Sequence, residues 1–128
     1  MKLARAAGLR TGIITGRESS AVSQRARECD IEFVYQHRAT KLSALEEILQ
    51  TTGASISEVA YVGDDLPDLP VLQRVGLAVA VANAAPEVKR AAHFVTSRTG
   101  GEGAVREVIE LIVKAQGKWG AASRDAKA

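Results

Sequence analysis

Short apolar runs at 9–14, 33–35, 59–62, 77–81 and 93–95 alternate with segments of helical spacing, and that alternation is the strongest constraint on what this chain can fold into. Residues 2–7 read as a helix closed by Gly8, and 19–29 as a helix with Ala21, Val22, Ala26 and Cys29 on one side. Thr40 can cap a helix to about Thr51, with Leu42, Leu45, Ile48 and Leu49 as its stripe and Gly53 as its stop. Pro67 and Pro86 each suit the first turn of a short helix, where a missing N–H is harmless. Residues 104–116 repeat Val105, Val108, Ile109 and Ile112 at helical spacing. Strands alternating with helices imply an α/β fold with a parallel sheet covered on both faces. Ligands of such sheets bind beyond the carboxyl ends of the strands.

Composition narrows the class. At 128 residues with 46% apolar and 25% charged residues, the chain suits one soluble domain. A net charge of +2 is too small to favour nucleic acid or an anionic membrane. No apolar run reaches the ~18 residues of a membrane span, and the N-terminal residues lack a signal-peptide core. The single Cys29 excludes an intrachain disulfide and a multi-cysteine metal site. The expectation is a cytoplasmic protein with no nucleic-acid or membrane partner. Residues 41–86 carry two basic and six acidic side chains, and Asp64, Asp65 and Asp68 crowd the end of one apolar run.

Three chemically useful groups fall at strand ends or helix starts. Thr15-Gly16-Arg17 follows the first strand, Lys41 opens the helix after the second, and Gly63-Asp64-Asp65 ends the third. A phosphate ester needs hydrogen-bond donors, positive charge and an in-line nucleophile. Thr15 offers a hydroxyl, and the Gly16 and Arg17 amides enter a helix start, a natural anion site. Lys41 offers a compact cation. Asp64 and Asp65 offer hard oxygens suited to Mg²⁺, and Asp68, one helical turn on, can orient Lys41 or a metal-bound water. Singly, each has an ordinary alternative: a turn, a solvated lysine, an acidic cap. Their joint order on an alternating α/β frame points to a phosphate site.

The stretches AAGLRTGIITGRES, VYQHRATKL, VAYVGDDLPDLPVLQRVGLAVAVANA, VTSRTGGEGAVREVIELI and AQGKWG carry a resemblance to a known family. The chain resembles the haloacid dehalogenase superfamily, and within it the capless 3-deoxy-D-manno-octulosonate 8-phosphate phosphatases. The polar composition of 120–128 reads as a disordered tail, and the resemblance implies a Rossmann-like core over residues 1–119. It implies Mg²⁺-dependent hydrolysis of a phosphorylated sugar acid in lipopolysaccharide precursor synthesis. It gives Thr15 and Gly16 to the phosphoryl group and Lys41 to charge neutralisation. Asp64 becomes a metal ligand, Asp65 acts through metal-bound water, and Asp68 steadies the lysine. Arg17 would meet the acid end of the substrate. Such enzymes are tetramers whose C-terminal tails, here including Lys118 and Trp119, reach a neighbouring site.

The family's first motif, Asp-x-Asp-Gly, supplies its nucleophile and general acid/base, and this sequence lacks it. The expectation is therefore an incomplete core, without the first central strand and the β-hairpin that builds the tetramer. A chain without a positioned nucleophile is expected to be inactive alone. The rival reading is a non-catalytic interaction module, like the related domains fused to sialic-acid cytidylyltransferases. Among the remaining residues, Cys29 reads as buried in its helix and His37 as a loop residue near the site entrance. His93 reads as a strand opener, Gly100 to Gly103 as a turn, and Trp119 as a subunit anchor or a loose helix cap.

Overall fold

The computed structural model describes residues 2–16, 24, 27, 28, 31–36, 40–100 and 103–127. The chain divides into two units, one of residues 1–38 and 109–128, the other of residues 39–108.

In the first unit, β1 (Gly12–Ile14) pairs in parallel with β2 (Phe33–Tyr35), Gly12 opposite Phe33 and Ile14 opposite Tyr35. The strand expected from Leu9 starts later for a local reason. Leu9 belongs to a helical core, and its N–H donates to Ala4 O. Arg10 binds Glu32 through two nitrogens and lies over the Phe33 ring, so this part of the chain is held by side chains. The helical core gathers Leu3, Ala4 and Ala7 from α1 (Lys2–Ala6) and the turn after it. Ile109 and Val113 of α5 (Ala104–Ala115) and Ala122 of α6 (Trp119–Lys127) complete it.

The C-terminal segment corrects an expectation. Residues 119–127 form a helix packed on α1, where a disordered tail over 120–128 was expected. Gly117, at φ +71°, takes the left-handed turn that ends α5 and sends the chain back. Small residues then allow a close approach, with Ala122 buried against the α1 alanines. Lys118 Nζ donates to Ala7 O, and the Lys114 ammonium sits 4.6 Å from the centre of the half-buried Trp119 ring. The helix expected at 19–29 lies mostly outside the described residues, as do Cys29 and His37; Gln24, Arg27 and Glu28 are helical.

The second unit carries a three-stranded parallel sheet in the order β3 (Ala60–Gly63), β4 (Leu77–Ala80), β5 (Phe94–Val95). β4 is central, and Ala78, Val79 and Ala80 are fully buried, which is why this strand reads as a continuous apolar run. α2 (Lys41–Thr52) begins at Thr40, whose Oγ1 accepts from Ser43 N at 3.1 Å, and ends at Gly53 in the left-handed region. A 3₁₀ turn over Leu66–Asp68 runs into α3 (Leu69–Leu72), with Pro67 and Pro70 each in a first turn. α3 packs against β3, α2 and α4 (Pro86–Ala91), burying Val71, Leu72 and Val88. His93 Nδ1 accepts from Ala78 N, and its own N–H donates to Ala78 O, so this histidine joins β5 to β4.

The parallel α/β class is as expected from the alternation. Among the described residues the strands pair as β1–β2 in the first unit and as β3–β4–β5 in the second.

Candidate functional site

The sharpest cluster is built at the carboxyl end of β3. Gly63 is buried there, and a Cβ at this position would stand 2.8 Å from Asp68 Cβ and 3.0 Å from its carboxyl carbon. Glycine is required because the chain doubles back through the 3₁₀ turn and lays Asp68 against the strand. Asp68 is 2% exposed. Its Oδ2 accepts from the amides of Asp64 (2.9 Å) and Asp65 (3.2 Å). Its Oδ1 accepts from Lys41 Nζ and from Tyr61 Oη, both at 2.7 Å.

Four donors thus converge on one buried carboxylate. Burial alone would raise its pKa, but the bonds from Lys41, Tyr61 and the two amides outweigh that and hold it below the ordinary aspartate value. Tyr61 moves the other way: burial, then the hydrogen bond to and charge of Asp68, push the phenol well above its ordinary value. The Asp64 carboxyl is also raised, first by desolvation, then by Asp68. Asp64 and Asp65 both remain exposed. Asp65 caps the turn, its Oδ1 accepting from Leu66 N at 2.8 Å. Asp64 O accepts from Ala85 N, which ties the end of β3 to the loop that follows β4.

The structure therefore brings Lys41, Asp64, Asp65 and Asp68 together within the second unit. Thr15 and Gly16 belong to the first unit, at the carboxyl end of β1, where Thr15 N–H donates to Tyr35 O. Arg17 lies outside the described residues. Sequence reasoning missed Tyr61. Side chains alternate along a strand, so Tyr61 shares a face with Gly63, and that face meets Asp68. A phenol on an otherwise aliphatic strand, two residues before a glycine that clears space for a carboxylate, was the available signal.

Among the described residues, no group of three or more His, Cys, Asp or Glu side chains is gathered to hold a metal. Mg²⁺ commonly takes only one or two carboxylates and completes its shell with water and phosphate. The exposed Asp64 and Asp65 carboxyls at the end of β3 fit that donor set.

Residues 30–109 match the model of the haloacid dehalogenase-like hydrolases. The chain belongs to that family. It is 49% identical over 106 residues to the 3-deoxy-D-manno-octulosonate 8-phosphate phosphatase KdsC of Yersinia pestis, covering 83% of this chain and 57% of that protein. It is 46% identical over 110 residues to the phosphatase of the same name from Escherichia coli strain K12, covering 86% and 58%. The chain thus spans less than three-fifths of the length of these curated relatives. A crystal structure of the Moraxella catarrhalis phosphatase, in complex with magnesium ion, phosphate ion and KDO, superposes with a TM-score of 0.90 at 40% identity. That match covers 94% of this chain and 69% of the other. No helix among the described residues is long and apolar enough to cross a membrane.

Proposed function

We propose that this chain carries the phosphate- and metal-binding half of a 3-deoxy-D-manno-octulosonate 8-phosphate phosphatase, a cytoplasmic, Mg²⁺-dependent phosphomonoesterase acting as a tetramer on a phosphorylated sugar acid. The observation that carries the reading is the Lys41–Asp68 pair at 2.7 Å, with the Asp68 carboxylate also gripping the amides of Asp64 and Asp65. The likeness to the Yersinia pestis enzyme supports the substrate class.

In this reading the Lys41 ammonium, anchored by Asp68, faces a phosphate oxygen and offsets its charge. By the family resemblance, Thr15 and Gly16 would serve the phosphoryl group and Arg17 the carboxylate of the sugar acid. Asp64 would hold Mg²⁺, with Asp65 acting through a metal-bound water. The bound ion supplies charge stabilisation to the transferring phosphoryl group.

The 128 residues contain no Asp-x-Asp-Gly, so they provide no nucleophile for an aspartyl-phosphate. We therefore propose that the chain binds phosphate but does not turn it over. The missing motif equally favours the second reading, a non-catalytic interaction module. The test measures phosphate release from 3-deoxy-D-manno-octulosonate 8-phosphate with Mg²⁺. The chain alone should release none above the blank, and the chain extended by a strand bearing Asp-x-Asp-Gly should release it. Turnover by the chain alone overturns the inactivity. No turnover by an extended chain that folds, with no phosphate binding by either form, leaves the module reading.

A further inference from the structure

We propose that Tyr61 is a positioning residue for Lys41. Its phenol hydroxyl locks the Asp68 carboxylate in the one orientation that aims the ammonium at a bound phosphate. The inference rests on the reading of Lys41 as the phosphate-facing cation.

A carboxylate offers about four lone-pair directions. At Asp68 these meet four donors: two amides on Oδ2, Lys41 and Tyr61 on Oδ1. Among the described residues, Asp68 is the only hydrogen-bond partner of the Lys41 ammonium. The direction of that ammonium therefore follows the direction of Oδ1. The terminal torsion of an aspartate is intrinsically broad. The two amides restrain it from one side at 2.9 and 3.2 Å, and the Tyr61 hydroxyl closes it from the other at 2.7 Å.

Tyr61 also sits on a rigid element. Its register partner is Ala78 of the central strand, which is fully buried. A locking group on a paired strand is held more closely than one on a loop. The chemistry of the group matters as well. A neutral phenol adds a hydrogen bond without adding charge, so Asp68 keeps its full negative charge for Lys41. A second cation here would neutralise the carboxylate and loosen its hold on the first.

The test is Tyr61→Phe in the full chain, which keeps the ring and removes only the hydroxyl. Two quantities are read: hydrogen exchange of the Lys41 ammonium, by ¹⁵N-lysine NMR, and affinity for inorganic phosphate with Mg²⁺, by calorimetry. We expect ammonium exchange to quicken and phosphate affinity to fall, each by about tenfold, with Mg²⁺ affinity unchanged. A role confined to packing would leave the ammonium signal as it is, and that result overturns the proposal. If wild type binds no phosphate, the functional reading falls, and the positioning claim is decided on the ammonium signal alone. Should Tyr61→Phe not fold, wild type grown on fluorotyrosine, whose phenol is a stronger donor, must shift the Lys41 resonance. An unmoved resonance then overturns the proposal.

Discussion

Replacing Asp68 by asparagine sets a problem that the structure does not let the side chain solve. The carboxylate has two accepting oxygens, and each serves two donors. Asparagine has one accepting oxygen and one NH₂ group. If its oxygen faces Lys41 and Tyr61, its NH₂ points at the amides of Asp64 and Asp65. Flipped, the NH₂ points at Lys41 and Tyr61. Either way two donors face a donor in a site that is 2% exposed, and Lys41 loses its counter-charge. Each buried donor left unpaired costs about 1–3 kcal/mol, so the substitution should cost about 3 kcal/mol at neutral pH. Urea unfolding reads this as a midpoint lower by roughly 2 M, for a slope of about 1.5 kcal/mol/M. The pH dependence adds a second check. The folded Asp68 pKa is depressed, so its stabilisation is present above the unfolded value of about 4 and is lost as pH falls through the folded value. The deficit of the variant should therefore be full at pH 7 and shrink below about pH 4. Asp64 is shifted the opposite way, so the difference between variant and wild type is the quantity to follow. A deficit under about 0.5 kcal/mol, the size expected of an ordinary surface change, would refute the reasoning. So would a deficit that does not change with pH.

Gly76→Ala should be severe, because its Cβ would stand 1.9 Å from Ser57 O and 2.7 Å from the adjoining carbonyl carbon, both backbone atoms. We expect a loss of about 3 kcal/mol and a melting point lower by roughly 10 °C, read by circular dichroism. The Tyr61 phenol should stay protonated past pH 10, its 295 nm ionisation step arriving only with unfolding, because its pKa is raised by burial and Asp68. A reversible step from Tyr61 in the folded chain, identified by its loss in Tyr61→Phe, would contradict that.

Some features were written plainly in the residues. β4 was legible because a strand buried on both faces must be apolar throughout. α2 was legible because Thr40 and Gly53 mark its ends chemically. Lys41 and Asp68 were picked out by their place in the chain order, and the structure puts them in contact. α6 was hidden, since Trp119–Lys127 has no large apolar stripe. Its packing depends on the smallness of Ala122 against α1, which hydrophobic periodicity does not register. The place of Tyr61 was hidden because its contact with Asp68 exists only once the chain turns at Gly63. Periodicity marks a strand but does not say which strand lies beside it, so the pairing of β1 with β2 and of β4 with β3 and β5 could not be read from it.

The central claim is that the end of β3 and the start of α2 form one metal–phosphate site. Paramagnetic line broadening by Mn²⁺, standing in for Mg²⁺ and added with inorganic phosphate, tests it most directly. The account predicts that the amide signals of Asp64 and Asp65 broaden first, that those of Lys41 follow, and that Asp64→Asn abolishes both. Broadening centred elsewhere, or unchanged in Asp64→Asn, would contradict it.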